Sequence, residues 1–330
     1  VFDQPVVLRV LMATLIIASI SNHSGKTALA AALAVKLGTE DAPVAIGKAV
    51  SADSAYESDA GVFEHLLPGN PSVSGAVGDI ASNISSLTDS TKISIIEGSS
   101  DTESNIQLAN DTDGLILLLT RYGEEVSDVV EAYGSRLAGV VVNAIPKYRT
   151  GDTGDLISEG LRAKGINLLG YIPDDRRMLS PKLGQVAEFL GGQFLTGDDQ
   201  SEQLLDNFLI GGLVLDWGPF YFATRNNTGV IVRGDRPDVQ LAAIQTETTR
   251  ALLLTKGVRP VEYVIYEADQ RGIPLIVVPG STHDVAEKLE GLQPQVGFDH
   301  ADKLSRMIEL VSEHLDISGL EDQLAQPVTR

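Results

Sequence analysis

The 330-residue sequence contains no cysteine. Disulfide bonds, thiolate metal sites and cysteine nucleophiles are therefore excluded, and the composition fits the reducing conditions of the cytoplasm, the expected location. The chain is also short of basic residues: 25 Lys and Arg stand against 45 Asp and Glu, for a formal net charge of −20. Nucleic acids and anionic membranes are held by clustered Lys and Arg, and no such cluster occurs here, so neither is an expected partner. Long apolar runs are missing as well. The most apolar early stretch, Val6–Ile20, is interrupted by Arg9 and falls short of the ~20 residues of a membrane helix. It runs into a polar loop rather than a small-residue cleavage site, which argues against a secretory signal. The run Ala13–Ser19 reads as a buried first strand, with Val1–Leu11 as leader residues. The five histidines are scattered, so a histidine metal site is not expected, and His23 reads as a solvent-facing loop residue.

What is present is enough apolar material, 43% of the residues, for two hydrophobic cores in a chain longer than one typical domain. Short β-branched runs alternate with helical patterns, the rhythm of βαβ units around a parallel sheet. Strands are expected at 15–19, 44–48, 93–97, 114–119, 139–143 and 168–171. The helices between them are expected at 26–37, 76–84, 126–132, 155–164 and 183–190, from apolar residues three and four apart. The segment 191–203, rich in Gly and Asp, reads as a linker. Beyond it, strands at 209–213, 228–232, 251–254 and 275–278 alternate with helices at 238–248, 261–271 and 284–290. A last helix at 299–315 is expected to pack on one of the domains or on a second subunit. The expected architecture is α/β: a doubly wound, mostly parallel P-loop NTPase-like domain over 12–195, a linker over 196–203, a smaller α/β domain with the C-terminal helix over 204–315, and a tail over 316–330.

The segment Ser19-Ile20-Ser21-Asn22-His23-Ser24-Gly25-Lys26-Thr27 joins the first strand to an Ala-rich helix. A phosphate site needs backbone N–H groups around the anion, a lysine on phosphate oxygens, a hydroxyl on Mg²⁺ and a helix N-terminus facing the charge. Gly25, Lys26 and Thr27 supply the end of that pattern, and Asn22, His23 and Ser24 supply loop backbone. Ile20 stands where the first glycine of the usual pattern would be. Glu97, closing its strand ahead of Gly98, is placed as a second magnesium ligand at the switch point of the sheet. Asp59 is a further candidate, with Asp53 and Glu57 competing. Lys48 closes the second strand, pointing into the crevice above the sheet or else snorkelling at its edge. Asn143, at the end of another strand, either offers its amide to a base edge or forms a turn.

These residues carry a resemblance. The phosphate loop, Gly47-Lys48-Ala49-Val50, Ile95-Ile96-Glu97-Gly98, Val141-Val142-Asn143 and Leu169–Arg176 are similar to the dethiobiotin-synthetase-like P-loop proteins. They are most similar to the branch forming the N-terminal region of long phosphate acetyltransferases. The segments Arg233–Asp238, Leu241–Ala243, Leu253–Gly257 and Gly272–Leu275 resemble the DRTGG domain that follows in those proteins, and the likeness runs from Met12 to about Leu315. It implies ATP and Mg²⁺ as ligands, with Lys26 on phosphates, Thr27, Asp59 and Glu97 on the metal, Asn143 and Pro173 at the adenine, and Lys48 as the second catalytic lysine.

There are departures from that pattern. Ser19 replaces a glycine, Ala49 a proline, and Gly98-Ser99-Ser100-Asp101 a glycine-rich turn that would cradle a substrate. Only Asp235-Arg236 remains of the motif that names the DRTGG domain, either as an internally paired cap or as an anion contact. The resemblance suggests a dimer and a nucleotide-responsive regulatory protein with a protein partner. The alternative is an ATP-dependent carboxylate-activating synthetase of the dethiobiotin or cobyrinate type, that is, a ligase or an ATPase. An acetyltransferase activity of this chain on its own is not expected.

Overall fold

A computed structural model of the chain describes residues 13–50, 61–87, 91–149, 159–212 and 218–326. It divides into two compact units, one of Val1–Asp174 with Phe298–Arg330 and the other of Asp175–Gly297. The candidate metal ligand Asp59 and its competitors Asp53 and Glu57 lie outside the described residues, as do Val1–Leu11 and the first part of the helix expected at 155–164; its residues 159–163 are helical.

In the first unit the strands are β1 (Ala13–Ser19), β2 (Ala45–Val50), β3 (Ser72–Ala76), β4 (Ile93–Glu97), β5 (Leu115–Arg121), β6 (Leu137–Ile145) and β7 (Leu168–Pro173). They form a seven-stranded sheet in the order β3-β2-β4-β1-β5-β6-β7, with every described pairing parallel. The helices that follow are α1 (Lys26–Leu37), α2 (Val62–Leu66), α3 (Val77–Ser85), α4 (Thr102–Thr112) and α5 (Ser127–Tyr133). Leu15, Ile16, Ile17 and Ala18 of β1 are fully buried, as a central strand covered on both faces requires. Because β4 flanks β1 on one side and β5 on the other, the strand order reverses at β1. The crevice beyond its carboxyl end is where such sheets hold ligands.

The second unit comprises α6 (Leu183–Leu190), β8 (Gln193–Thr196), β9 (Asn207–Gly211), α7 (Gly218–Phe222), β10 (Thr228–Arg233), α8 (Pro237–Ile244), β11 (Thr249–Thr255), α9 (Glu262–Gln270), β12 (Leu275–Val277) and α10 (Thr282–Glu290). Its sheet order is β8-β12-β11-β10-β9, parallel except for β8 against β12. Alternation along the strands feeds two cores. Ile231 and Leu253 face the core completed by α6 and α10, while Val230, Val232, Leu252 and Leu254 face the core completed by α7, α8 and α9.

The domain boundaries differ from those expected. The segment expected to be a linker contains β8 and a turn at Asp198–Gln200, and it belongs to the second unit together with α6. Its glycines serve local geometry: Gly191 ends α6 in a left-handed conformation and Gly192 packs under Ile276 and Val278. The C-terminal helix does not stay with the second unit. As α11 (Ala301–His314) it returns to the first, packing along α1 and β7, and the expected tail contains α12 (Ile317–Leu324) with Leu320 and Leu324 buried. α11 provides the cover that α1 needs. From Ala28 to Ala34 that helix is buried around its whole circumference, with the sheet on one side and the apolar face of α11, including Leu304, Met307, Leu310 and Val311, buried in the same unit.

The end of α11 is stapled to β7. Gly170 bridges to Leu315, and the Asp316 N–H donates to the Leu169 carbonyl at 2.8 Å. Gly170 has φ 149°, and a Cβ there would overlap the carbonyl oxygen of His314. Gly170→Ala is expected to cost about 2–4 kcal/mol of unfolding free energy, from overlap and backbone strain together. Gly191→Ala, with a positive φ but open space, is expected to cost only about 1–2 kcal/mol. Urea denaturation of both variants checks the difference.

Candidate functional site at the carboxyl end of the first sheet

β1 leaves the sheet at Ser19, and the chain turns through Ser21–Gly25 before α1 begins at Lys26. His23 and Gly25 are left-handed, with φ 55° and 98°, on either side of Ser24; left-handed residues of this kind build concave nests of N–H groups. Position 25 admits only glycine, since a Cβ there would lie 2.7 Å from Asn143 Nδ2. That amide donates to the Ser24 carbonyl at 2.7 Å, and its oxygen accepts the Ala144 N–H at 2.8 Å. Asn143 therefore braces the loop from β6 and retains one amide hydrogen for any other partner.

Lys26 Nζ donates to Ser19 Oγ at 2.7 Å, and Ser19 Oγ donates to the Ser21 carbonyl at 2.8 Å. Beside them, Lys48 and Glu97 face each other across the β2–β4 ladder, with Nζ 3.3 Å from Oε1. Lys48 lies within its strand rather than ending it, because β2 continues to Val50. Glu97 is 5% exposed and Ser24 is 2% exposed. Among the described residues, neither Glu97 Oε2 nor Ser24 Oγ has a hydrogen-bond partner. Two buried polar atoms in this state next to two lysines call for a polar ligand or ordered water. Burial lowers the pKa of Lys26; the charge of Glu97 opposes that shift and repulsion from Lys48 adds to it.

The remaining expected residues fall at the same end of the sheet. Thr27 is half-buried in the first turn of α1, and Pro173 ends β7, paired with Ile145 of β6 just beyond Asn143. His23 is exposed at the loop tip. No group of three or more His, Cys, Asp or Glu residues suited to a metal ion occurs among the described residues. A divalent ion at this loop would depend on Thr27, Glu97 and phosphate oxygens of a bound nucleotide, which is how Mg²⁺ is usually held. The unpartnered Glu97 oxygen fits that donor set.

Two supports of the loop went unnoticed in the sequence. Glu124, in the turn after β5, accepts Ser21 Oγ at 2.6 Å, Thr120 Oγ1 at 3.1 Å and the Arg121 N–H at 2.7 Å. Burial pushes its carboxyl pKa up, but the hydrogen bonds from Ser21, Arg121 and Thr120 outweigh that and hold it below the ordinary value. The signal that pointed to it was its position, just past the end of the strand beside β1. On the opposite flank Ser100 Oγ donates to Asn22 Oδ1 at 3.1 Å. Asn105 fixes the turn carrying Ser100 by accepting the Ser99 N–H at 3.0 Å and donating to the Ser99 carbonyl at 3.1 Å.

In the second unit, Asp235 and Arg236 do not pair with each other. Arg233 is ion-paired with Asp235, and Arg236 holds Asp238 through bonds of 2.9 and 2.7 Å at the start of α8. Gly234 packs against the Val258 backbone, and Gln240 Nε2 donates to the Arg233 carbonyl at 2.6 Å. The segment thus has an internal structural role.

The strand order and loop define a P-loop NTPase-like α/β unit, joined to a second α/β unit. The second unit carries a DRTGG domain, matched over residues 185–292. The chain is homologous to phosphate acetyltransferases. It is 27% identical to the phosphate acetyltransferase of Pseudomonas putida over 250 residues, covering 68% of this chain and 35% of that protein. It is 23% identical to that of Nitrosomonas europaea over 297 residues, covering 80% of this chain and 42% of that protein. The chain thus spans less than half the length of these relatives. Among solved structures, it overlaps the CBS and DRTGG domains of the regulatory region of Clostridium perfringens pyrophosphatase with TM-score 0.30 and 14% identity, over 41% of this chain and 67% of that one. The MinC:MinD complex of Aquifex aeolicus gives 0.37 and 17%, over 51% and 84%. No described helix is long and apolar enough to cross a membrane.

Glu124→Ala strips a partner from Ser21, Thr120 and the Arg121 N–H, and is expected to lower stability by about 1–3 kcal/mol. Glu124→Gln keeps one acceptor oxygen and is expected to lose less. Urea titrations of the two variants against the parent chain decide this.

Proposed function

We propose that the first unit binds ATP with Mg²⁺ and that the chain is a nucleotide-responsive regulatory protein, the second unit carrying the response to a protein partner or a second subunit. The observation that carries this reading is the pair of buried, unpartnered oxygens, Ser24 Oγ and Glu97 Oε2, beside Lys26 at the switch point of the sheet. Lys26 and the backbone of Asn22, His23, Ser24 and Gly25 would hold the phosphates. Thr27 and Glu97, with Asp59 from outside the described residues, would hold the magnesium. Asn143 and Pro173 would border the adenine. Bound Mg²⁺ supplies charge neutralisation at the phosphates. Lys26 and Lys48 add positive charge on the same side of the sheet, in a chain that is otherwise strongly acidic. Homology to about a third of the P. putida protein is in keeping with kinship to a non-catalytic region of such enzymes, and we infer a homodimer from the resemblance of the second unit to DRTGG domains.

One observation favours a second reading, an ATP-dependent carboxylate-activating enzyme: Lys48 is held 3.3 Å from Glu97, where it would steady a substrate carboxylate. The Ser100–Asn22 bond weighs for regulation, because it ties the turn after Glu97 onto the phosphate loop in place of a glycine-rich cradle.

Calorimetric titration of ATP with Mg²⁺ tests the proposal. One saturable site is expected in the parent chain, and Lys26→Ala is expected to weaken it by roughly 10- to 100-fold, the worth of a lost charge-assisted contact. Absence of binding in the parent chain, checked by a second assay, overturns the reading. ADP formation that depends on a small carboxylate or diamine moves the assignment to the synthetase class.

A further inference from the structure

In sequence the second unit is inserted into the first, so that two covalent joints connect them. On entry, Pro173 ends β7, the Asp174 N–H donates to the Ile145 carbonyl at 2.8 Å, and Asp175 accepts the Arg177 N–H at 2.9 Å. On exit, only Phe298, Asp299 and His300 separate Gly297 from α11, and His300 caps that helix by accepting the Asp302 N–H at 3.1 Å. Both joints lead to elements of the proposed nucleotide site. The entry joint follows Pro173. The exit joint leads into α11, which packs along α1, the helix that begins with Lys26 and Thr27.

We propose that docking of α11 on α1 is the element through which the second unit regulates nucleotide binding; this rests on the nucleotide reading of the first unit. Released from α11, a helix buried from Ala28 to Ala34 around its whole circumference would expose one side of its Ala and Leu face to water. The phosphate site is therefore competent only in the docked state. A nucleotide that binds only this state stabilises docking by mass action. Conversely, anything bound by the second unit that pulls on or relaxes the short exit segment changes the competent fraction, and apparent affinity scales with that fraction. The Leu315 end of α11 is fixed to the sheet by its bridge to Gly170, while the Ala301 end follows the exit segment in sequence.

The test uses the full chain with ATP and Mg²⁺ as the probe. Hydrogen exchange of the parent protein is expected to slow across 301–314 on saturation, although none of these residues is placed at the nucleotide. Leu310→Ala, which thins the apolar face of α11, is expected to weaken ATP binding about five- to tenfold by lowering the docked fraction. Ile166→Ala, a similar truncation in the core on the other face of the same unit, is the control and is expected to leave affinity within about twofold. Unchanged exchange in 301–314 on ATP saturation overturns the proposal, as does equal ATP affinity in the Leu310 and Ile166 variants. Exchange in the parent chain decides the matter even if Leu310→Ala does not fold. If the parent chain binds no ATP, the nucleotide reading fails and this inference falls with it; if it binds ATP without either expected effect, only the coupling fails.

Discussion

Asn143 donates to the Ser24 carbonyl across 119 residues of sequence, and the space this bond occupies is the space a side chain at position 25 would need. The loop's conformation follows from that close approach. Gly25 takes a left-handed conformation, α1 starts directly after it, and Lys26 is brought down onto Ser19 next to Glu97 and Lys48. The loop lacks the first glycine of the usual pattern, and Ile20 occupies that place. Side-chain braces compensate: Glu124 from the turn after β5 and Asn143 from β6 on one flank, Ser100 on the other. Such braces lower the ordering cost that a ligand would otherwise meet.

Electrostatics then single out this place on the molecule. A chain with a formal charge of −20 repels anions over most of its surface, so a nucleotide needs a local reversal of sign. Lys26 and Lys48 place two cations beside the buried Glu97, and the N-terminal end of α1 adds positive partial charge. Arg233, ending β10, and Arg236, ahead of α8, provide no comparable site, because Asp235 and Asp238 already neutralise them.

Much of the fold was legible in the sequence because its strongest signals are local. α1 was expected at 26–37 and occupies those residues, since an unbroken Ala- and Leu-rich run after Gly25 is enough to define it. Two of the missed elements draw their burial from neighbours more than from their own pattern. β3, Ser72–Ala76, is an edge strand with few apolar residues, and α4, Thr102–Thr112, is polar apart from the face that carries Leu108 and Ala109. β8 was hidden among glycines that looked like a linker but serve as a helix cap and a close contact beneath β12. Within the site, residues contiguous in the phosphate loop were identifiable, whereas Glu124 and Ser100 were not.

The sequence by itself determined where the loop between β1 and α1 lies, that the chain holds two mostly parallel α/β units, and which apolar runs form most of their strands. These features depend on residues within a few positions of one another, where periodicity, turn chemistry and side-chain spacing act directly. Only the tertiary structure decided which side chains brace the loop, where the second unit begins, and that the C-terminal helix crosses back to cover α1. Those outcomes depend on strand order, which brings Ser21 to Glu124 and Leu169 to Asp316 over separations that no local pattern encodes. The amphipathic helix at 301–314 announces that it has a face to bury, but its partner is set by the shape of the completed sheet and of the helix already lying on it.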